Sequence, residues 1–247
     1  MSVLELIEER REQGKRMHMT LIDPDKQTPE VAGSTAKRAE ELGTDAIMVG
    51  GSTGVTQDNL DKTVLAIKDA THLPVIYFPG TARAISPYCD AIYFMSLLNS
   101  TDPKMLVGEQ VKGAVVLKKM ENVEKIGMGY IIVEPGMKVG EVGKAEPVPR
   151  DRPDKAVAYA LAAQYFGMKL VYLEAGSGAP EPVPPEMITA VRTEIDIPLI
   201  IGGGIRTPEA AGIAAKAGAD IVITGTIVEQ AEDLNILADI IRAVKSD

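Results

Sequence analysis

The chain has 247 residues, 45% of them hydrophobic, with 35 acidic against 26 basic side chains and a formal charge of −9. That balance argues against a nucleic-acid partner, because phosphate backbones are held by a surplus of lysine and arginine. No apolar run approaches the ~20 residues of a membrane span, and one cysteine, Cys89, rules out an internal disulfide or a multi-cysteine zinc site.

The opening segment, residues 1–19, is amphipathic and charged and lacks a signal-peptide core, so a reducing cytoplasm is the expected compartment. The first apolar run, MHMTLID (17–23), leads into "LIDPDK". Asp23 stands at its end and Asp25 two residues on; a turn and a metal site are both open readings of this acidic pair. A helical pattern at 29–42 separates it from DAIMVG (45–50), which ends in "GGST" with Ser52 and Thr53. A carboxylate and a hydroxyl on neighbouring strand ends suit Mg²⁺, which keeps waters and takes few protein ligands. After a helix at 57–70 come PVIYF (74–78) and AIYFMS (91–96). Only PGTARAISPYCD lies between these two runs, and Pro79, Gly80 and Pro87 disfavour a helix there.

A helix at 103–119 precedes GYIIVE (129–134), followed by an expected long loop, 133–153. A helix at 153–166, started by Pro153 and Asp154, leads to LVYLEA (170–175). Here Tyr172 and Glu174 share one pleat face, before the turn Gly176-Ser177-Gly178. Glu174 can hydrogen-bond or deprotonate a hydroxyl, or it can cap the helix that follows. A helix at 185–194 leads to IPLIIGG (197–203), a helix at 207–217 to DIVITG (220–225), and a last helix covers 230–245. Thr207-Pro208-Glu209 is a helix start, and Gly43, Gly167 and Gly218 are helix stops.

Eight short apolar runs without period-two alternation read as strands buried on both faces. Alternating with helices over this length, they predict an α/β protein, a (β/α)8 TIM barrel forming one domain over residues 1–247, with the third helix missing or extended. Active sites of such barrels lie at the carboxyl ends of the strands. There, Gly202-Gly203-Gly204 and Gly225-Thr226 end consecutive strands and offer bare amides to a phosphate, although ordinary tight turns would also use glycine. His18 and His72 are the only histidines, so imidazole chemistry has few candidates, and His72 reads as structural or exposed.

Taken together, "LIDPDK", "GGSTGV", "YFPG", "YLEAGSGAP", "IGGGIRTPEAA" and "ADIVITGT" resemble the archaeal geranylgeranylglyceryl phosphate synthase family, in its longer-chain group. The resemblance implies a cytoplasmic, Mg²⁺-dependent prenyltransferase. It would join the 3-hydroxyl of sn-glycerol 1-phosphate to geranylgeranyl diphosphate and release pyrophosphate, the first ether bond of archaeal phospholipids. By the same motifs, Tyr172, Leu173, Glu174, Ala175, Gly176, Ser177, Gly178, Gly203, Gly204, Gly225 and Thr226 would bind glycerol 1-phosphate. Asp23 and Ser52 would hold Mg²⁺, and Glu174 would orient or deprotonate the attacking hydroxyl. A homo-oligomer, in the longer group a hexamer, is implied as well. The open alternatives are a heptaprenylglyceryl phosphate synthase or another prenyl length, a sugar-phosphate isomerase or lyase, and a non-catalytic phosphate-binding barrel. The prenyl tail is expected beside "YFPGTARAIS" and "FMSLLNS", where the absent helix leaves a flank uncovered.

Overall fold

The computed structural model describes residues 1–225 and 235–246. Eight strands, β1 (Met17–Ile22), β2 (Ala46–Val49), β3 (Val75–Tyr77), β4 (Ala91–Leu97), β5 (Glu124–Ile132), β6 (Leu170–Glu174), β7 (Leu199–Gly202) and β8 (Ile221–Thr224), pair in chain order and close into a barrel. Every ladder is parallel, and β8 returns to β1 with Thr224 opposite Thr20. Around it run α1 (Val3–Glu12), α2 (Pro29–Leu42), α3 (Gln57–Ala70), α4 (Glu109–Leu117), α5 (Met137–Val142), α6 (Pro153–Tyr165), α7 (Pro185–Glu194), α8 (Pro208–Lys216) and α9 (Asn235–Lys245). A π-helical turn, Lys104–Gly108, leads into α4.

Local chemistry sets the boundaries. Thr28 caps α2 with Pro29 in its first turn, and Gly43 ends it at φ 99°. Thr207 caps α8 by accepting from the Ala210 N–H at 3.1 Å. Gly167 and Gly218 take φ of 78° and 116°, values that L side chains avoid. Residues 78–90, all described, hold no helix, as the proline-rich segment predicts.

Four elements differ from expectation, the first being the helix expected at 103–119, which is divided into the π-helical turn and α4. β5 begins at Glu124, five residues early, because its ladder with β4 runs from Ala91–Glu124 to Leu97–Tyr130. The expected loop at 133–153 contains α5 and is tied down. Buried Asn99 donates to the Ile132 and Glu146 carbonyls and accepts from the Ile132 N–H, while Ser100 donates to Gly143 O at 2.6 Å. The amphipathic amino terminus forms α1, capped by Ser2, and its Val3 and Ile7 pack with the barrel interior. The amide of Val3 also donates to the Glu124 carboxylate. The helix at 153–166 starts as expected at Pro153, but its cap position is Arg152, which makes no side-chain cap and pairs with Asp154. The helix expected from residue 230 is described from Asn235.

Strand side chains alternate between two layers. Met17, Met19, Met48, Tyr93, Tyr130 and Tyr172 fill the barrel. The outer layer packs small helix faces, such as Ala32, Ala36 and Ala39 of α2, against Ile47 and Val49 of β2. At the β1–β8 seam this layer holds a buried polar cluster. His18 joins Thr44 Oγ1 at 2.8 Å through Nδ1 and Thr224 Oγ1 at 2.9 Å through Nε2. Burial, reinforced by the nearby Lys245 charge, pushes the His18 imidazole down to about 3. As pH falls below 6.5 the unfolded chain takes a proton that the folded one refuses, so stability is lost from pH 6.5 down toward 3. Between pH 7 and pH 4 this loss is about 3 kcal/mol. Chemical denaturation at the two pH values should show it in the native protein, and His18→Gln should flatten the slope by that amount.

Candidate active site

The carboxyl ends of the strands surround a cavity of about 360 Å³. Asp23, Ser52, Thr53, Tyr172, Glu174, Ser177, Gly203, Gly204 and Gly225 all line it, so one space gathers motifs from five strand ends. β7 and β8 pair with Ile200 opposite Ile221 and Ile201 opposite Val222, so their carboxyl ends, with Gly203, Gly204 and Gly225, open on the same side of the cavity. Thr226 lies outside the described residues.

The glycines answer two different demands. Gly203 and Gly204 take φ of 81° and 74°. A Cβ on Gly203 would strike the Glu174 carboxylate and come within 2.9 Å of the Ala175 nitrogen; one on Gly204 would sit 2.7 Å from Glu181 backbone. A Cβ on Gly202 would strike the Tyr172 hydroxyl. Bare backbone at 202–204 thus lets β6 and its turn pack against β7, besides opening the rim. Gly225 is unlike these, since a Cβ there meets Leu21 at an ordinary 3.4 Å. Gly225→Ala should therefore keep stability within ~1 kcal/mol of the native protein. A melting curve reads this.

Glu174 is 6% exposed, and its Oε1 accepts from the Gly176 N–H at 2.7 Å. The next helix, α7, starts only at Pro185, so this carboxylate caps a turn and not a helix. Burial raises its pKa, opposed by hydrogen bonds from the Tyr172 hydroxyl and the Gly176 amide. The Tyr172 hydroxyl is itself raised, by burial and then by the Glu174 charge, and stays protonated. Leu173 and Ala175 do not line the cavity. On a strand the intervening residues face the other way, and both sit among the outer-layer side chains packed under the helices. Gly176 and Gly178 shape the turn at φ of 101° and 80°, and are likewise not part of the wall.

Asp23 is 8% exposed, and its Oδ1 accepts from the Asp25 N–H at 3.0 Å, the turn that "DPD" predicts. The same side chain reaches the cavity, where the other oxygen lies 3.8 Å from Lys26 Nζ. Gly51 leaves it room, for a Cβ there would collide with the Asp23 carboxylate. Asp25 instead packs over Gly54, away from the wall. Among the described residues no group of three or more His, Cys, Asp or Glu could hold a metal. One carboxylate with the hydroxyls of Ser52 and Thr53 is nonetheless a donor set that fits Mg²⁺, which retains waters and takes oxygens from a bound phosphate.

Opposite the glycine rim the cavity turns apolar. Phe78, Ile85, Ile92, Phe94, Met105, Leu117 and Val142 line it, drawn from the helix-free 78–90 segment, β4, the π-helical turn, α4 and α5. Between the two ends Phe78, Tyr130 and Tyr172 form an aromatic floor, with the Phe78 and Tyr130 centroids 5.4 Å apart and edge to face. Three cations also reach the wall, Lys26, Lys138 and Arg206. Sequence reasoning passed over all three. Lys26 and Arg206 sit inside the quoted strand-end motifs "LIDPDK" and "GGGIR", which was the available signal.

Residues 6–245 match the PcrB family. The geranylgeranylglyceryl phosphate synthase of Thermococcus kodakarensis is 58% identical over 217 residues, covering 88% of this chain and 86% of that one. That of Pyrococcus horikoshii is 56% identical over 232 residues, covering 94% and 91%. The crystal structure of (S)-3-O-geranylgeranylglyceryl phosphate synthase from Thermoplasma acidophilum, in complex with its substrate sn-glycerol-1-phosphate, is 50% identical. It covers 99% of each chain with a TM-score of 0.97. With its motifs in one cavity and relatives this similar over nearly its whole length, the chain belongs to the PcrB family of geranylgeranylglyceryl phosphate synthases.

Proposed function

We propose that the cavity transfers a geranylgeranyl group to the 3-hydroxyl of sn-glycerol 1-phosphate, with Mg²⁺ as cofactor and pyrophosphate as leaving group. One observation carries this. A single cavity has a polar end at Glu174 and the glycine rim, an apolar end at β3, β4 and α4, and Asp23 with Ser52 on the same wall. Glycerol phosphate fits the first, a C20 chain the second, and a diphosphate the wall they share.

The chain's residues divide the work. Amides and hydroxyls around Gly204, Gly225 and Ser177 hold the phosphate of the acceptor. The ionised Glu174 takes the proton of the 3-hydroxyl as its oxygen bonds to C1 of the prenyl chain and the C1–O bond to diphosphate breaks. The Tyr172 hydroxyl and Gly176 amide hold that carboxylate in place. Asp23 and Ser52 would hold Mg²⁺, which neutralises the departing diphosphate. Lys26, beside Asp23, adds a second positive charge there. The apolar end excludes water from C1 and aligns the tail, each buried CH₂ contributing about 0.8 kcal/mol.

The test combines purified protein, Mg²⁺, labelled sn-glycerol 1-phosphate and a panel of prenyl diphosphates. Pyrophosphate release with an organic-extractable product, fastest for the C20 donor, is the expected result. Peak activity with a C35 donor would assign a heptaprenyl enzyme instead, and binding without release would leave a non-catalytic barrel. A homo-oligomer is part of the same proposal. Tyr165 and Phe166, 77% and 74% exposed at the end of α6, offer an apolar contact that another copy would cover. Light scattering should give a multiple of the 26.3 kDa chain. The buried lone thiol Cys89 fits a reducing, cytoplasmic setting. Among the described residues no helix is long and apolar enough to cross a membrane.

A further inference from the structure

We propose that the outer face of α4 and the π-helical turn before it docks on an anionic lipid surface. Val107, Val111 and Val115 stand four residues apart, 56%, 63% and 67% exposed, and so form one stripe. The exposed Lys104, Lys112, Lys118 and Lys119 accompany it. The one carboxylate between residues 104 and 119, Glu109, has a side chain 11% exposed; it accepts from the Ala82 N–H at 2.7 Å and pairs with Lys112 at 2.9 Å and Lys104 at 3.7 Å, which leaves Lys118 and Lys119 as the positive excess of the stripe. A chain of net charge −9 thus carries a valine stripe that ends in two exposed lysines, Lys118 and Lys119, in the turn after α4.

The other side of α4 is already engaged, for Gln110, Gly113 and Leu117 line the apolar end of the cavity. A helix apolar on both sides needs cover on both. A second copy packed symmetrically on this face would set its lysines against their own counterparts, a repulsive match. Anionic headgroups complement them, each lysine near such a surface strengthening attachment roughly five-fold. Valines then enter the headgroup boundary while the lysine stems let their ammonium groups stay among the phosphates. Docked this way, the protein holds the apolar end of its cavity one helix away from the bilayer, so a C20 diphosphate dissolved there has a short path inward. That last step rests on the prenyl-transfer proposal; the docking does not.

Sedimentation of the full chain with vesicles tests it. Binding is expected to phosphatidylglycerol–phosphatidylcholine vesicles and not to phosphatidylcholine alone, and should weaken with salt. Val111→Glu with Val115→Glu, and separately Lys118→Glu with Lys119→Glu, should each lower binding roughly ten-fold or more. Turnover of detergent-dispersed geranylgeranyl diphosphate should stay unchanged in both. Failure of the unsubstituted protein to sediment, or binding indifferent to both variants, would overturn the proposal. So would a fall in assembly mass of the valine variant, which would make the face a contact between copies. Absence of turnover in detergent would instead count against the prenyl-transfer proposal, leaving the vesicle result to stand by itself.

Discussion

Asp23→Ala is expected to lower turnover on the order of 10³-fold while leaving sn-glycerol 1-phosphate affinity within about two-fold. The split follows from the cavity's layout. Asp23 and Ser52 belong to the ends of β1 and β2, whereas the acceptor's phosphate is assigned to the ends of β7 and β8, beside Glu174. Allylic diphosphate leaves easily once its charge is neutralised, so losing the carboxylate that helps to do this strikes the bond-breaking step. Removing the side chain also takes away the carboxylate 3.8 Å from the Lys26 ammonium, a charge that still attracts a diphosphate. Steady-state kinetics beside a titration of glycerol phosphate measure both quantities. An equal loss in turnover and affinity would mean that Asp23 only shapes the turn through the Asp25 amide.

Glu174→Gln carries the second large effect, a fall in turnover of about 10²–10⁴-fold. The amide is nearly isosteric and can still accept from Gly176, but it cannot take a proton. Stability should move the other way. Burial raises this carboxyl's pKa, so above that pKa the ionised group costs folding free energy, and a neutral amide removes the cost. The melting temperature of the variant should therefore equal or exceed that of the native protein. The raised pKa also sets the acid limb: native turnover should decline with falling pH before the ~4.3 of an ordinary glutamate is reached. An unchanged rate in the variant would reduce Glu174 to a turn cap.

How much of this the sequence disclosed depends on whether the signal is local. Proline and threonine at helix starts and glycine at helix ends are local, and α2, α3 and α7 run over the residues expected of them. The missing helix after β3 was legible for the same reason, in three breakers within a dozen residues. The start of β5 was not. Glu124, Lys125 and Gly127 do not read as a buried strand, and only the ladder to β4 makes them one. Asn99 is a lone polar residue in "LLNS", yet it ties β4, β5 and the segment after α5 together through tertiary contacts no motif encodes.

The site divides along the same line. Strand-end motifs named Asp23, Ser52, Glu174, Gly203, Gly204 and Gly225, and the fold sets all six around one cavity. Treating "YLEAGSG" as a continuous ligand stretch obscured strand alternation, which turns Leu173 and Ala175 toward the helices. The triple glycine read as a phosphate cradle or an ordinary tight turn. Its closest neighbours are the Tyr172 hydroxyl, the Glu174 carboxylate and the Glu181 backbone, a packing demand visible only once β6 and β7 are paired.

Crystals of this protein soaked with sn-glycerol 1-phosphate give the most direct measurement. The phosphate should lie within hydrogen-bond reach of the Gly204 and Gly225 backbone, with the glycerol hydroxyls turned to Glu174. Phosphate density instead against Asp23 and Ser52, or outside the barrel mouth altogether, would contradict the division of the cavity on which every assignment here depends.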